Sequence, residues 1–395
     1  MNKFKQEIKK LIISFLCVLF CIFLAFVGAN YYLEYQAPSK INKMIEKLQI
    51  EEKGSDLTFI QDSDNDDFEN YIFPGIITLN SYYINDYEKI LLQKVNPYGI
   101  LLIKENLRTE EQFKYFQKEI ETILKRKPVY FIDQEGGNVI RTNYLYVKKR
   151  YKTAFSSSLE NTNDLEKSKE KVYKNASVIA KDLKKLGIDV NLAPVLDTQG
   201  KDNNVLGSRI FDFNPQNVKI LSNEFIRAHK DNDIEVCAKH FIGIGRCTVD
   251  THDKKCIINA SVDELKKYDL IPFYNLERVK YGMLSHAIYA SIDPENPAPF
   301  SKKVVDFIRN ELKFKGILIT DALHMKALDG HGTLQEKILK SFNSGVDLVL
   351  IMNLATNKHS LHTLLDTLIQ VKKELFTKNK NNNNLVVINK NLYFN

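Results

Sequence analysis

Residues 316–323 read GILITDAL, a glycine-opened apolar run that ends in a carboxylate. Apolar residues in unbroken succession, rather than in alternation, mark a strand buried on both faces, as in a parallel sheet covered by helices. Seven more runs have this character: 72–79 (IFPGIITL), 98–103 (YGILLI), 128–133 (PVYFID), 188–197 (IDVNLAPVLD), 235–241 (EVCAKHF), 282–289 (GMLSHAIY) and 346–352 (VDLVLIM). Each is bounded by turn residues or by a longer helix-like stretch, such as Thr109–Leu124 or Val262–Lys280. Eight strand–helix units over about 300 residues fit a single (β/α)8 barrel of the TIM type. A doubly wound sheet is the alternative, because periodicity does not register closure. No glycine-rich phosphate loop follows the first strand, which counts against a nucleotide-binding sheet.

In a barrel the chemistry sits at the C-terminal ends of the strands. Here those ends are polar: Asp133, Asp197, Lys239-His240, His286 and Asp321. One acid at a strand end is ordinarily a helix cap, but five such ends in register describe a site. The fifth run continues into KHFIGIGRCTVDTHDKK (239–255), which holds two histidines, acids, basic residues and a cysteine. Three readings compete for it: a catalytic loop, a solvated loop, and a metal site built from His240, Cys247, Asp250 and His252. Metal sites favour compact ligand spacing on rigid elements, which this segment lacks. Neither a metal nor another cofactor is expected.

The chain has 395 residues, 44% hydrophobic and 27% charged, ordinary values for a protein with a real core. Its net charge of +7 is partly local, since Lys3, Lys5, Lys9 and Lys10 oppose only Glu7 in the first thirty residues. No basic stripe interleaved with aromatics is present, so nucleic acid is not an expected partner. Leu11–Val27 is 17 residues without a charge, and the next charged residue is Glu34. Lysines before such a run predict a single-pass anchor in the cytoplasmic membrane, with the rest of the chain exported. Cleavage near Val27-Gly28-Ala29, giving a secreted protein, is the alternative. The expected division is residues 1–32 as stub and anchor, 33–70 as linker and leading helix, 71–380 as barrel, and 381–395 as a polar tail. Five cysteines form no CxxC pair, so neither a zinc ribbon nor a redox dithiol is indicated.

Five segments in order, DQEGGNVIR (133–141), NLAPVLD (191–197), GSRIFDFNP (207–215), KHFIGIGRCTVDTH (239–252) and ITDALHMKAL (319–328), resemble the successive blocks of glycoside hydrolase family 3. The spacing is most similar to its single-domain β-N-acetylglucosaminidases, the NagZ type. The resemblance covers about residues 70–355, and the sandwich-like second domain of other members is expected to be absent. It implies a retaining glycosidase for terminal N-acetyl-β-glucosaminyl residues of muropeptides or chitooligosaccharides. It implies Asp321 as nucleophile, His252 as acid/base with Asp250 two residues before it, and Asp133, Arg141, Arg209, Lys239 and His240 as sugar contacts.

There are departures. The family's usual FPGHG is FIGIG here, so Ile242 and Ile244 stand where it has Pro and His. The usual TDD is Thr320-Asp321-Ala322. A retaining mechanism needs an ionised Asp321, which a cation such as Lys239 would favour. Histidine titrates near working pH and can both donate and accept a proton, and Asp250 would hold its tautomer. Two other functions remain: an anchored binder of wall fragments with weak catalysis, and a β-glucosidase- or xylosidase-type enzyme. Those family members draw the acid from a carboxylate elsewhere. The expected state is a monomer. Cys247 and Cys256 bracket Asp250 and His252, and would pair in an oxidising compartment if a hairpin-like loop brought their Cα atoms within about 7 Å. Two free thiols, their bracketing accidental, are the reading the sequence favours.

Overall fold

The computed structural model describes residues 66–381, apart from 144, 146–150, 202, 204, 252 and 356. The described strands are β1 (Phe73–Thr78), β2 (Pro97–Leu102), β3 (Val129–Ile132), β4 (Val190–Asn191), β5 (Glu235–Phe241), β6 (Ile257–Ile258), β7 (Tyr281–Leu284), β8 (Ile288–Tyr289), β9 (Ile317–Ala322) and β10 (Leu348–Ile351). All but β6 and β8 form a closed barrel, in the order β1-β10-β9-β7-β5-β4-β3-β2. The pairings are parallel, and β1 closes the ring against β10. The short β6 and β8 pair with each other outside it. A helix follows each barrel strand: Asp86–Val95, Glu110–Leu124, Leu165–Lys185, Pro215–Lys230, Val262–Lys267, Lys302–Asn310, Leu334–Ser344 and Lys358–Asn381. This is the expected (β/α)8 arrangement, closed rather than doubly wound.

The strands read as unbroken apolar runs because each buries both faces in different cores. One core holds Phe131, Cys237, Ile317, Ile319, Leu348 and Leu350. Their chain neighbours Tyr130, Ile132, Val236, Ala238, Leu318, Val349 and Ile351 belong to the other, with the helices. The first core fills the barrel interior. Tyr98 on β2 and Tyr281 on β7 stand on opposite sides of the ring, yet their hydroxyls meet at 2.8 Å. Side chains alternate along a strand, so the interior set recurs every second residue.

Helix starts are written into the sequence as caps. Asn85, Thr109, Asp164, Asn214, Ser261, Ser301 and Thr333 each accept a backbone N–H from the first turn. Each such cap contributes about 1 kcal/mol. Pro215 follows Asn214 in the first helical turn, where its missing N–H costs nothing.

The structure corrects three boundaries. The helix expected over Val262–Lys280 stops at Lys267, and a 3-10 turn with Pro272 at its second position follows. Leu270 and Phe273 are buried there, so the apolar residues fill the core without helix. The fourth strand keeps regular pairing only over Val190–Asn191. Beyond it Pro194 has no N–H to give, though its carbonyl still accepts from Lys239 N at 3.1 Å. The sixth run splits into β7 and β8. The apolar segment Leu11–Val27 lies outside the described residues. Among the described residues no helix is long and apolar enough to cross a membrane.

Candidate active site

The interior alternation continues to the C-terminal ends of the strands and aims polar residues into the barrel mouth. Asp133 lies two residues beyond Phe131, Lys239 two beyond Cys237, and Asp321 two beyond Ile319, each in phase with an interior side chain. The contacts agree with this phase. Lys239 Nζ on β5 reaches Asp133 Oδ1 after β3 at 2.7 Å, and the two strands are separated by β4.

Lys239 is 3% exposed and held between two carboxylates, Asp133 and Glu135, each at 2.7 Å. Arg209 closes the far side of Glu135 with a two-point bond, Nε to Oε2 and Nη2 to Oε1, both 2.9 Å. Asp133, Lys239, Glu135 and Arg209 thus form a chain of alternating sign. Burial works against the charge of Glu135, but Lys239 and Arg209 outweigh it and pull its pKa from 4.5 down to about 2. Burial likewise opposes the charge on Lys239 and Arg209, and the carboxylates hold both above their ordinary values. The Arg141 guanidinium stands 3.9 Å from Asp133 Oδ2 and is 37% exposed, so it borders this chain rather than closing it.

Glu135 was not among the sequence candidates. Its signal was legible: it lies two residues after Asp133 in DQEGG and so shares its side of the chain. The Gly136-Gly137 pair allows the turn. Both have positive φ, and a Cβ on Gly136 would sit 2.4 Å from Lys152 O. Glu135 N donates to Val139 O at 3.0 Å to close it. Gln134 ties the turn to β4 through Asn191, with bonds of 3.1 and 3.0 Å.

His240 turns to a different partner. Its Nδ1 lies 2.6 Å from Asp197 Oδ2, and Asp197 is fully buried. Asp197 Oδ1 also accepts from Ile244 N at 2.8 Å, so one carboxylate orients both the imidazole and the FIGIG segment. In the neutral imidazole, an Nδ1–H held by Asp197 leaves His240 Nε2 as the acceptor. Asp197, one of the polar strand-end residues, therefore positions His240. Tyr289, also absent from the candidates, secures the same segment. Its hydroxyl accepts from Ile242 N and donates to Gly243 O, both at 3.0 Å. Gly245 is required by contact, since a Cβ there would lie 1.7 Å from Thr198 O.

Arg246 donates from Nε to Asp269 at 2.8 Å, and Cys247 forms a disulfide with Cys256, their Cα atoms 5.7 Å apart. The favoured reading of two free thiols is therefore corrected to the bridged one. A bridged Cys247 supplies no thiolate to the metal reading. Among the described residues no group of three or more His, Cys, Asp or Glu is arranged to hold a metal ion. Asp250 is exposed, and its carbonyl accepts from Asp253 N and Lys254 N at 3.0 Å in a turn. His252 lies outside the described residues.

Asp321, the next-to-last residue of β9, is half-buried, and its Oδ1 accepts from Ala322 N at 2.7 Å. His286 is buried beside it, bonding Ala322 O through Nε2 at 3.0 Å. Burial lowers the pKa of His286, and the Asp321 charge opposes that shift. Lys239, the cation expected to favour ionised Asp321, is instead committed to Asp133 and Glu135.

A closed parallel barrel with carboxylates, a buried lysine and an oriented histidine at its C-terminal mouth has the architecture of an α/β-barrel enzyme. Residues 49–384 match the model of the glycosyl hydrolase family 3 N-terminal domain, and the chain belongs to that family. A β-hexosaminidase of Nitrosomonas eutropha is 28% identical over 286 residues, covering 72% of this chain and 81% of that protein. One from Neisseria gonorrhoeae is 29% identical over 287 residues, covering 71% and 78%. Among solved structures, NagZ from Neisseria gonorrhoeae in complex with N-trifluoroacetyl-D-glucosamine has a TM-score of 0.67 at 27% identity, covering 76% of this chain and 89% of that one.

The charge chain sets a pH dependence. Glu135 titrates lower folded than unfolded, so its stabilisation is present above about pH 4.5 and is lost as pH falls through about 2. Glu135→Gln should lower stability at pH 7 by on the order of 3 kcal/mol. The gap to wild type should narrow between pH 4.5 and 2 in urea denaturation. Parallel profiles across that range would contradict the coupling.

Proposed function

We propose that the chain is a retaining exo-β-N-acetylglucosaminidase acting on glycans or fragments of the cell wall. The observation that carries this reading is the shared interior phase of Asp133, Lys239 and Asp321, which directs two carboxylates and an ammonium toward one barrel mouth. The names of the relatives, β-hexosaminidase and NagZ, support the substrate class.

In this reading Asp321 attacks the anomeric carbon from below the sugar ring. The leaving oxygen takes a proton from His252 as its bond to carbon breaks. The neutral imidazole then removes a proton from water, which attacks the same carbon and releases Asp321. Asp250 stabilises the imidazolium and holds its tautomer. Asp133, Arg141, Arg209, Lys239 and His240 grip the sugar. The charge chain fixes Asp133, Arg209 and Lys239, Asp197 fixes His240, and Arg141 borders the chain at Asp133. Because Lys239 is shared by two acids, its ammonium donates from a set position instead of searching for one, which favours recognition of hydroxyls by geometry.

Activity on 4-nitrophenyl N-acetyl-β-glucosaminide should exceed that on the 4-nitrophenyl glucoside. His252→Ala should slow aryl substrates with poor leaving groups by about 100-fold or more, and 2,4-dinitrophenyl substrates far less, because only the former need a proton. Asp250→Ala should follow the same pattern more mildly. Equal slowing across the series would remove His252 from the proton-donor role.

We also propose that Leu11–Val27 is an uncleaved anchor and that the barrel works outside the cytoplasmic membrane. The lysines before the run support this orientation. The Cys247–Cys256 bridge supports an oxidising compartment. A periplasm- or surface-dependent reporter fused after Asn395 should be active. Full activity of a cytoplasm-dependent reporter at the same position would contradict export.

A further inference from the structure

The turn that carries Asp133 and Glu135 is tied to the outer helix layer by a line of buried polar side chains. Gln134 lies between the two acids and is fully buried. Its Oε1 accepts from Arg141 N at 2.8 Å, and its Nε2 donates to Thr142 Oγ1 at 2.8 Å. One side chain thus holds together the two ends of the turn, Asp133 and Arg141. Asn191, at the end of β4, grips the Gln134 backbone: Oδ1 accepts from Gln134 N, and Nδ2 donates to Gln134 O. Val190 belongs to the barrel interior, so its neighbour Asn191 faces the helices. There Asn191 Nδ2 meets His229 Nε2 at 3.0 Å, on the helix Pro215–Lys230. The tautomer follows from the partners. His229 Nδ1 lies 3.0 Å from Phe225 O, which only accepts, so Nδ1 carries the proton. Nε2 is then a bare acceptor, the role that Asn191 Nδ2 requires. Burial keeps the imidazole neutral, its pKa pushed from 6.5 down to about 4, which preserves this arrangement. The ring also stacks on Phe225, with centroids 4.2 Å apart.

We infer that His229, Asn191 and Gln134 are positioning residues for the sugar grip: the imidazole fixes Asn191, Asn191 fixes the Gln134 backbone, and the Gln134 side chain spaces Asp133 from Arg141. The inference rests on the reading of Asp133 and Arg141 as sugar contacts. Removing the Nε2 acceptor leaves a buried N–H of Asn191 without its partner, a cost that favours movement of Asn191 and of the turn it holds. Recognition of sugar hydroxyls through hydrogen bonds is sensitive to such displacement, even when its source lies in the helix layer.

The test uses the full chain, with N-acetylglucosamine as a competitive inhibitor of 2,4-dinitrophenyl N-acetyl-β-glucosaminide hydrolysis. A glutamine amide reaches the place of a histidine Nε2, whereas an asparagine amide reaches only that of Nδ1. His229→Gln therefore offers Asn191 an acceptor, and His229→Asn does not. Both lose the imidazole and its stacking on Phe225, so a purely packing role would affect them alike. His229→Asn should raise the inhibition constant and KM by about ten-fold while kcat changes by less than about two-fold. His229→Gln should stay within about two-fold of wild type in all three. Thr142→Val removes the acceptor at the other end of the line without loss of volume. It should raise the inhibition constant by about three-fold, and it decides the matter if His229→Asn does not fold. Equal constants in the two His229 variants, or an unchanged one in Thr142→Val, would overturn the positioning role. Arg141→Ala separates the two claims. If wild type is not inhibited, or Arg141→Ala leaves the constant unchanged, the sugar-contact reading fails. If Arg141→Ala raises it while the His229 and Thr142 variants do not, only the positioning inference fails.

Discussion

The alternating chain Asp133–Lys239–Glu135–Arg209 is the interaction on which the rest of the mouth depends. Desolvating any one of these charges alone costs several kcal/mol, so each is tolerated only because its neighbours have the opposite sign. The arrangement spans three connections: the turn after β3, the segment after β4 that supplies Arg209, and the end of β5. Loops of unlike sequence are thus locked to one another by charge as well as by backbone bonds such as Lys239 N to Pro194 O. The polar floor of the site is set before any sugar arrives, and Asp321 on β9 faces a surface whose ammonium and guanidinium are already oriented.

Much of this was legible in the sequence, for physical reasons. A strand covered on both faces must be apolar throughout, so the point where polarity begins marks the barrel rim. Asp133, Lys239 and Asp321 could be found from that rule alone. Glu135 and Asp197 show its limit. Both are acids within blocks already singled out, but their roles depend on which cation or imidazole they meet across the barrel, and sequence spacing does not encode that. Tyr289 was hidden for a different reason. It reads as an apolar strand residue, and only its hydroxyl, meeting Ile242 N and Gly243 O, shows what it secures. The helix-like stretch Thr109–Leu124 kept its bounds, while that over Val262–Lys280 failed after Lys267, where tertiary burial of Leu270 and Phe273 replaced helical periodicity.

The substitution of FIGIG for the family's usual FPGHG finds an account in the same network. Ile242 and Ile244 are both buried, and their backbone N–H groups bond to Tyr289 and Asp197. A proline at 242 would have no N–H for Tyr289 to accept. This chain therefore secures the turn with a tyrosine hydroxyl, then continues into a disulfide-closed ring. An oxidising compartment permits that bridge, whereas a reducing one would keep both residues as thiols.

The central claim is that Asp321, not another acid at the mouth, bonds to the sugar. A retaining mechanism passes through a covalent glycosyl-enzyme, which a fluorinated N-acetylglucosaminyl donor that forms it faster than it is hydrolysed will accumulate. Peptide mass spectrometry of the trapped protein should place the adduct on the peptide containing Asp321, with fragment ions assigning it to that carboxylate. An adduct on Asp133, Glu135 or Asp197 would contradict the account.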